Sequence, residues 1–402
     1  MQTTNPIGQR RNNLAVLARA IWKTPGISRR ELVDHFEIDE SSVSRLVSQL
    51  IQMGLVESSG TVEGSSTPGP APGGRRRIAL KVREDFGQVW GLALWRDRVR
   101  VTVINMQGQS LATQEFPLQP YDGDWKAYLQ RAVHLAVQLS ARTAAAQAGV
   151  PRPLMGIGLG MPGWVDSELS MVVRSDEFGL RQVTCPVQWP EHLPVLWEND
   201  ANCGAWSGLG RGAPTDDELY VIARFLENGP LGLPSELSVG FGLIVNGQLH
   251  RGWRHAAGEF ISALWKPGCS SAYGLDDYTF GRSRIDKEAF LATVGEVLRN
   301  LRFATELLDP HTIHLGGDLK DRFDDVKEAC DLVAWPAGKA LLHPLPAGID
   351  EVSLGAALLV LDELFQFPSG DRLTLFRGYG TGVNDPVWRG LPSGLESCPA
   401  VK

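Results

Sequence analysis

Apolar residues first recur at helical spacing between Asn12 and Trp22, where Leu14, Val16, Leu17 and Ile21 share a face. Thr24-Pro25-Gly26 ends that run. A second helix is expected over Arg30–Phe36, with Leu32, Val33 and Phe36 apolar. Ser28 stands at its N-cap, and Glu31 three residues on completes a capping box. After a break at Glu37–Glu40 the helical period resumes from Ser41, placing Val43, Leu46, Val47, Leu50 and Ile51 on one face. Ser42, Ser44, Arg45, Ser48 and Gln49 point away from that face, with Ser41 at its start. Leu55–Ser58 then reads as a short strand and Arg76–Val82 as its partner. Three helices and a two-stranded wing are the winged helix-turn-helix order. An outward face of small hydroxyls, one Arg and one Gln suits the major groove of DNA. Taken alone, the same pattern is also an ordinary helical hairpin.

From Gln88 the pattern changes. Strands are expected at Val89–Leu94, Arg98–Ile104, Leu154–Leu159, Val195–Trp197, Leu219–Arg224, Ser238–Val245 and Thr312–Leu315, with a shorter one at Gln248–His250. Helices are expected at Trp125–Ala148, Ala201–Gly208, Lys287–Leu308 and Ser353–Leu364. Strands alternating with helices predict an α/β body of two lobes. No internal sequence repeat is evident. The tail from Phe367 is rich in Gly and Pro and is expected to be irregular.

Composition sharpens this picture in three ways. At 402 residues the chain needs two or three domains. The polar N-terminus and the lack of an apolar run of about 20 residues predict a cytoplasmic protein with no membrane partner. The five cysteines are scattered, with no CxxC pair, which argues against a disulfide framework. Charge is uneven: residues 1–80 hold ten Lys/Arg against seven Asp/Glu, in a chain of net charge −7. A slightly basic head on an acidic body fits a DNA-reading module joined to a domain with another task. The loop between the wing strands, Gly60–Gly74, ends in Arg75, Arg76 and Arg77. Glycines followed by arginines fit a narrow minor groove, where the negative potential is enhanced; a solvated basic linker is the alternative.

Four further segments follow the winged helix: GLGMPGWVD (Gly158–Asp166), ENDANCGAW (Glu198–Trp206), VNGQLHRGWRHAAGEF (Val245–Phe260) and IHLGGDL (Ile313–Leu319). In this order they resemble the ROK family of repressors and sugar kinases. The resemblance runs from about Asn12 to Phe365 and implies a two-lobed actin/hexokinase-like body. It also implies that Asn199 and Asp200 hold a sugar in the cleft between the lobes, where ligands of α/β folds bind. In the family's kinases the matching Asp removes the sugar hydroxyl proton; the alternative for Asn199-Asp200 is a helix N-cap. Glu259 matches a further sugar-holding residue, against the alternative of a solvated loop carboxylate. Asp276 falls on the family's second sugar-binding Glu, and Glu177 where an Asn is usual. These acids would gather negative charge that suits a neutral polyol or an amino sugar better than a phosphosugar. Gly316-Gly317 matches the family's adenosine-side turn, or is simply a tight strand-to-helix turn.

The departures from the family pattern are equally informative. Kinases of the family carry an Asp-x-Gly-Gly-Thr phosphate loop on the first hairpin, whereas this chain has Gly91-Leu92-Ala93-Leu94-Trp95-Arg96. A phosphate cradle needs small residues so that backbone N–H groups can crowd the anion. ATP is therefore not expected to bind. The family's zinc site uses one His and three Cys. Here Ser262 stands for the His, Pro267 and Gly274 for two of the Cys, and only Cys269 remains, so no zinc is expected. Packing by Phe260, Ile261, Leu264 and Trp265 is expected to replace it. The histidines show no HExxH or comparable metal spacing.

The expected organisation is a winged helix-turn-helix over 1–82, a first lobe over 83–200 closed by the helix at 353–365, a second lobe over 201–352 and a tail over 366–402. The expected function is a DNA-binding regulator of carbohydrate genes, without kinase activity, controlled by a sugar or sugar derivative. Its partners would be a double-stranded operator and a second copy of itself, as a homodimer or higher homo-oligomer. The alternatives are a sugar kinase with a DNA-binding head, or a DNA-binding protein with a vestigial effector site.

Overall fold

The computed structural model describes residues 6–36, 38–61, 78–146, 152–184, 193–209, 217–226, 231–233, 235–335, 342–346 and 350–366. Most of the wing loop, with Arg75 and Arg76, and the tail from Phe367 lie outside the described residues.

The chain opens with helices α1 (Pro6–Lys23), α2 (Arg29–Phe36) and α3 (Glu40–Gln52). The capping box before α2 is formed: the Ser28 amide and hydroxyl donate to the Glu31 carboxylate at 2.8 and 2.7 Å. Helix α3 starts one residue earlier than its apolar period suggests, because Asp39 caps it by accepting from the Ser42 amide at 2.8 Å. Leu14, Leu17, Ile21, Leu32, Val43, Leu46, Val47 and Leu50 are buried together. Strands β1 (Val56–Thr61) and β2 (Ile78–Val82) form the antiparallel wing. The Leu80 amide and carbonyl pair with Ile27 and Gly26, which fixes the wing to the turn before α2.

Next come β3 (Gln88–Trp95), β4 (Arg98–Asn105), β5 (Ser110–Pro117), α4 (Trp125–Ala146), β6 (Leu154–Met161), β7 (Trp164–Asp166), β8 (Met171–Ser175), β9 (Leu180–Thr184), β10 (Val195–Asn199) and α5 (Asp200–Leu209). They build a sheet of order β10-β6-β3-β4-β5, in which β6 runs parallel to both β3 and β10, and the other pairs are antiparallel. β7, β8 and β9 make a small separate sheet. The second lobe holds β11 (Glu218–Leu226), β12 (Glu236–Val245), β13 (Gln248–Leu249), α6 (Asp277–Phe280), α7 (Lys287–Leu308), β14 (Thr312–Gly317), α8 (Asp318–Asp321), α9 (Phe323–Leu332) and β15 (Leu342–Pro344), and the chain then returns to the first lobe as α10 (Glu351–Leu364). Its sheet order is β13-β12-β11-β14-β15, with two antiparallel pairs followed by two parallel ones. The two sheets thus share one topology, each with a long crossover helix, α4 or α7, between its third and fourth strands.

The helices that follow the two sheets meet between them. α10 (EVSLGAALLVLDEL) is apolar on all sides and buried along nearly its whole length, as such a helix must be. It lies on the first sheet, where a side chain at Gly91 would strike the Ser353 carbonyl and one at Gly158 the Ala356 backbone. α5 lies on the second sheet and crosses α10 where Gly355 meets the Cys203 backbone. The head is seated on this assembly. Trp22 of α1 stacks on Phe365 with ring centres 5.0 Å apart, and Arg19 and Lys23 both reach Asp362 at 3.2 Å.

Candidate functional site

Two regions carry the expected chemistry. The first is the outward face of α3. Ser41, Ser44, Arg45 and Ser48 are exposed, and Ser42 and Gln49 half-buried. Ser41 differs from the others, since its hydroxyl is turned back to the Asp39 carboxylate at 2.6 Å. That contact and the Ser42 bonds hold the Asp39 carboxyl down to about 2.

The second is the cleft between the lobes. The parallel register of β10 and β6 brings Asn199 beside Met161, at the carboxyl ends of both strands. Asn199 Oδ1 accepts from the Ala201 and Asn202 amides at 2.8 and 3.1 Å, while Nδ2 donates to the Gly163 carbonyl at 2.8 Å. Both ends of this amide hold the site together, so Asn199 serves as the cap of α5. Asp200 is buried beside it, with Arg224 of β11 3.4 Å from its Oδ2. Burial raises the Asp200 carboxyl, and the Arg224 charge opposes that.

Glu177 and Glu259 join Asp200. Burial pushes the Glu177 carboxyl up to about 7, against Arg224 and with Asp200 adding to the rise. Glu259 follows Gly258, whose positive φ of 92° lets the loop run against the Phe241 backbone of β12. Its side chain is open to water in the cleft yet walled by protein. Burial again comes first in raising its carboxyl to about 7, with Asp200 adding to it and Arg174 opposing. Asp276 is not part of this group. It sits on the surface as the cap of α6, accepting from the Thr279 amide and hydroxyl at 3.0 and 2.9 Å, which lowers its carboxyl. The expected cluster of four acids is therefore a cluster of three.

Two residues of the site carry no separate signal in the sequence. Glu198 is buried, accepting from Arg251 at 2.6 Å, Ser167 at 2.9 Å and Asn202 at 3.0 Å. It ties the loop after β13 to the start of α5. Arg224 stacks over Trp95 at 4.5 Å, and Arg98 and Arg100 approach the same ring at 5.2 and 5.9 Å. The place where a phosphate loop would need small residues is thus taken by the Trp95 indole, so the small-residue cradle of a nucleotide phosphate is not present there.

The segment corresponding to the zinc loop does not fit the metal either. Ser262 Oγ accepts from Asn300 Nδ2 at 3.2 Å and from the Leu264 amide at 3.0 Å, and Asn300 Oδ1 accepts from the Ala263 amide at 2.7 Å. The expected apolar replacement is overturned in part. Phe260 packs against Phe241 and Tyr273, but Ile261, Leu264 and Trp265 are exposed. Hydrogen bonds from α7, not apolar packing, hold that loop. Among the described residues no cluster of His, Cys, Asp or Glu is arranged to hold a metal.

A family model described as ROK family matches residues 89–261, which spans the first sheet, the cleft acids and β12. That segment is similar to the ROK family. Among similar proteins are the xylose repressor of Caldicellulosiruptor bescii, 28% identical over 62% of this chain and 57% of that protein, and the xylose repressor of Bacillus subtilis, 24% identical over 61% and 59%. A β-glucoside kinase of Listeria monocytogenes is 29% identical over 40% of this chain and 48% of its own length. The matches to the two repressors thus span less than two thirds of their length. The crystal structure of a ROK family transcriptional regulator, a homologue of the E. coli MLC protein, superposes with a TM-score of 0.64 at 14% identity, covering 88% of this chain and 97% of that one. This likeness establishes the fold, in which helices precede the two ROK lobes. No helix among the described residues is long and apolar enough to cross a membrane.

Proposed function

We propose that this protein is a cytoplasmic transcriptional repressor of carbohydrate genes that binds operator DNA through α3 and its wing and is controlled by a neutral sugar or sugar derivative in the interlobe cleft. The similarity to two xylose repressors supports the class. The observation that carries the reading is the path of α10. Its first residues lie beside the cleft, where Glu351 pairs with Lys320 at 2.9 Å and receives the Gly317 amide at 3.0 Å. Its last turn holds the head through Asp362. A ligand that prefers one arrangement of the lobes therefore has a rigid, buried element through which to bias the head, and coupling of this kind typically amounts to about 1–3 kcal/mol.

The acids Asp200, Glu177 and Glu259 bind hydroxyls on this reading, with Asn199 ordering the loop; Asp276 contributes no contact. Ser42, Ser44, Arg45, Ser48 and Gln49 face the major groove, and Arg75 and Arg76 reach phosphates or the minor groove. A single short recognition helix meets few base pairs, so the working form is a homodimer on a two-fold operator.

Fluorescence anisotropy with the DNA upstream of the protein's own gene tests the head. Arg45→Ala should relax sequence preference, and Arg76→Ala should weaken binding evenly across sequences. Unchanged binding in both variants would sink the assignment. For the body, a sugar from a neutral panel should change DNA affinity in the parent and not in Glu259→Ala. Sugar-dependent ATP turnover, abolished by Asp200→Ala, would instead make the protein a kinase.

A further inference from the structure

Arg224 reaches from one lobe to the other. It rises from β11 in the second lobe, and its Nη1 lies 3.4 Å from Oδ2 of Asp200, which follows directly on the last strand of the first lobe. Its guanidinium carbon lies 4.5 Å from the ring centre of Trp95, at the end of β3. The side chain is only 14% exposed. The same charge acts on Glu177 and more weakly on Asp350 and Glu351, which have their own partners in Arg100 at 3.3 Å and Lys320 at 2.9 Å.

We propose that Arg224 is a positioning residue that ties the lobes together and sets the ligand class, presenting Asp200 as a hydrogen-bond acceptor to a neutral polyhydroxyl compound and excluding phosphorylated ones. The inference rests on the cleft being an effector site. A buried carboxyl left alone takes up a proton and loses half its acceptor capacity. With a guanidinium on one side, the remaining lone pairs of Asp200 stay available to sugar hydroxyls. The planar group also stacks on Trp95, which an ammonium does not do equally well. A phosphate entering from that side would have to draw the guanidinium away from Asp200, leaving that buried carboxylate uncompensated. The other groups acting with or on Asp200 are Glu351 from α10, Glu177 ahead of β9, Glu259 from the loop after β13, Cys203 from α5 and Tyr220 from β11. Glu351 also faces Lys320, Glu259 faces Arg174 and Cys203 faces Arg251; Arg224 is the cation in contact with Asp200.

The first experiment needs no ligand. Melting temperatures of the full chain are compared from about pH 5 to about pH 8 for the parent, Arg224→Gln, Asp200→Asn and the double variant. Without Arg224 the folded state holds the Asp200 proton more tightly, so the deficit of Arg224→Gln should grow as pH rises. In the Asp200→Asn background that growth should shrink to the part carried by Glu177, on which the same charge acts. A deficit constant with pH and equal in both backgrounds overturns the proposal. The second experiment titrates xylose, glucose and glucose 6-phosphate by calorimetry. A free sugar should bind the parent, bind Arg224→Gln about tenfold more weakly, and recover partly in Arg224→Lys. Tighter binding of glucose 6-phosphate than of glucose overturns the ligand class. If no sugar binds the parent, the effector reading and the ligand class fall together, while the pH comparison still decides whether Arg224 positions Asp200.

Discussion

Burial holds protons on Glu177 and Glu259 up to about pH 7, while an unfolded Glu releases its proton near 4.5. The sign of the consequence follows. A folded state that binds its proton more tightly than the unfolded state gains stability that is complete below 4.5 and is lost as pH rises through about 7. Glu177→Gln should flatten that decline in melting temperature; an unchanged slope would show that Glu177 does not carry the proton. At this scale the sequence is legible where a residue type is demanded by a motif at a strand end, as for Asp200 and Glu259. It misleads where loop length intervenes. Asp276 aligns with a ligand-holding acid, yet the turn that carries it folds into a surface helix cap. Arg224 and Glu198 stay hidden for another reason. A charged residue in a strand gives no sign of its partner until the two lobes are placed together.

Among elements, the buried and strictly periodic ones are readable: α7 and the long strands of both sheets lie within a few residues of their apolar runs. β5 (SLATQEFP) is an exposed edge with no strong alternation, and β7, α6 and α8 are three or four residues long, so sequence offers them little signal. The repeated strand order of the two sheets is invisible as well, since topology can be kept while every side chain changes. The loop after β13 shows how a local structure persists with different chemistry. Asn300 of α7 bridges Ser262 and Ala263, and Asn300→Ala leaves both without that partner. It should cost about 1–3 kcal/mol and speed amide exchange at Ala263. Retained exchange protection there would mean the neighbouring turns hold the loop unaided.

Across the whole molecule, the junction of head and body combines a ring stack, two ion pairs on one buried carboxylate and a polar cavity of about 1090 Å3 lined by Arg19, Lys23, Trp206, Arg251 and Asp362. Asp362→Asn weakens both ion pairs without touching either the cleft or the outward face of α3. Its expected effect is to leave DNA affinity close to that of the parent while shrinking the change in affinity caused by a bound sugar. An undiminished sugar response in Asp362→Asn would place the connection elsewhere. The crossing of α5 and α10 adds a constraint on how the body can move. At Gly355 backbone meets backbone, and no side chain stands between the helices to repack or to act as a spacer. Such a contact sets the closest approach of the two helices, so a methyl group at 355 would wedge α5 and α10 apart. A hydrogen atom where any other residue has a side chain thus sets the distance between the two halves of the body.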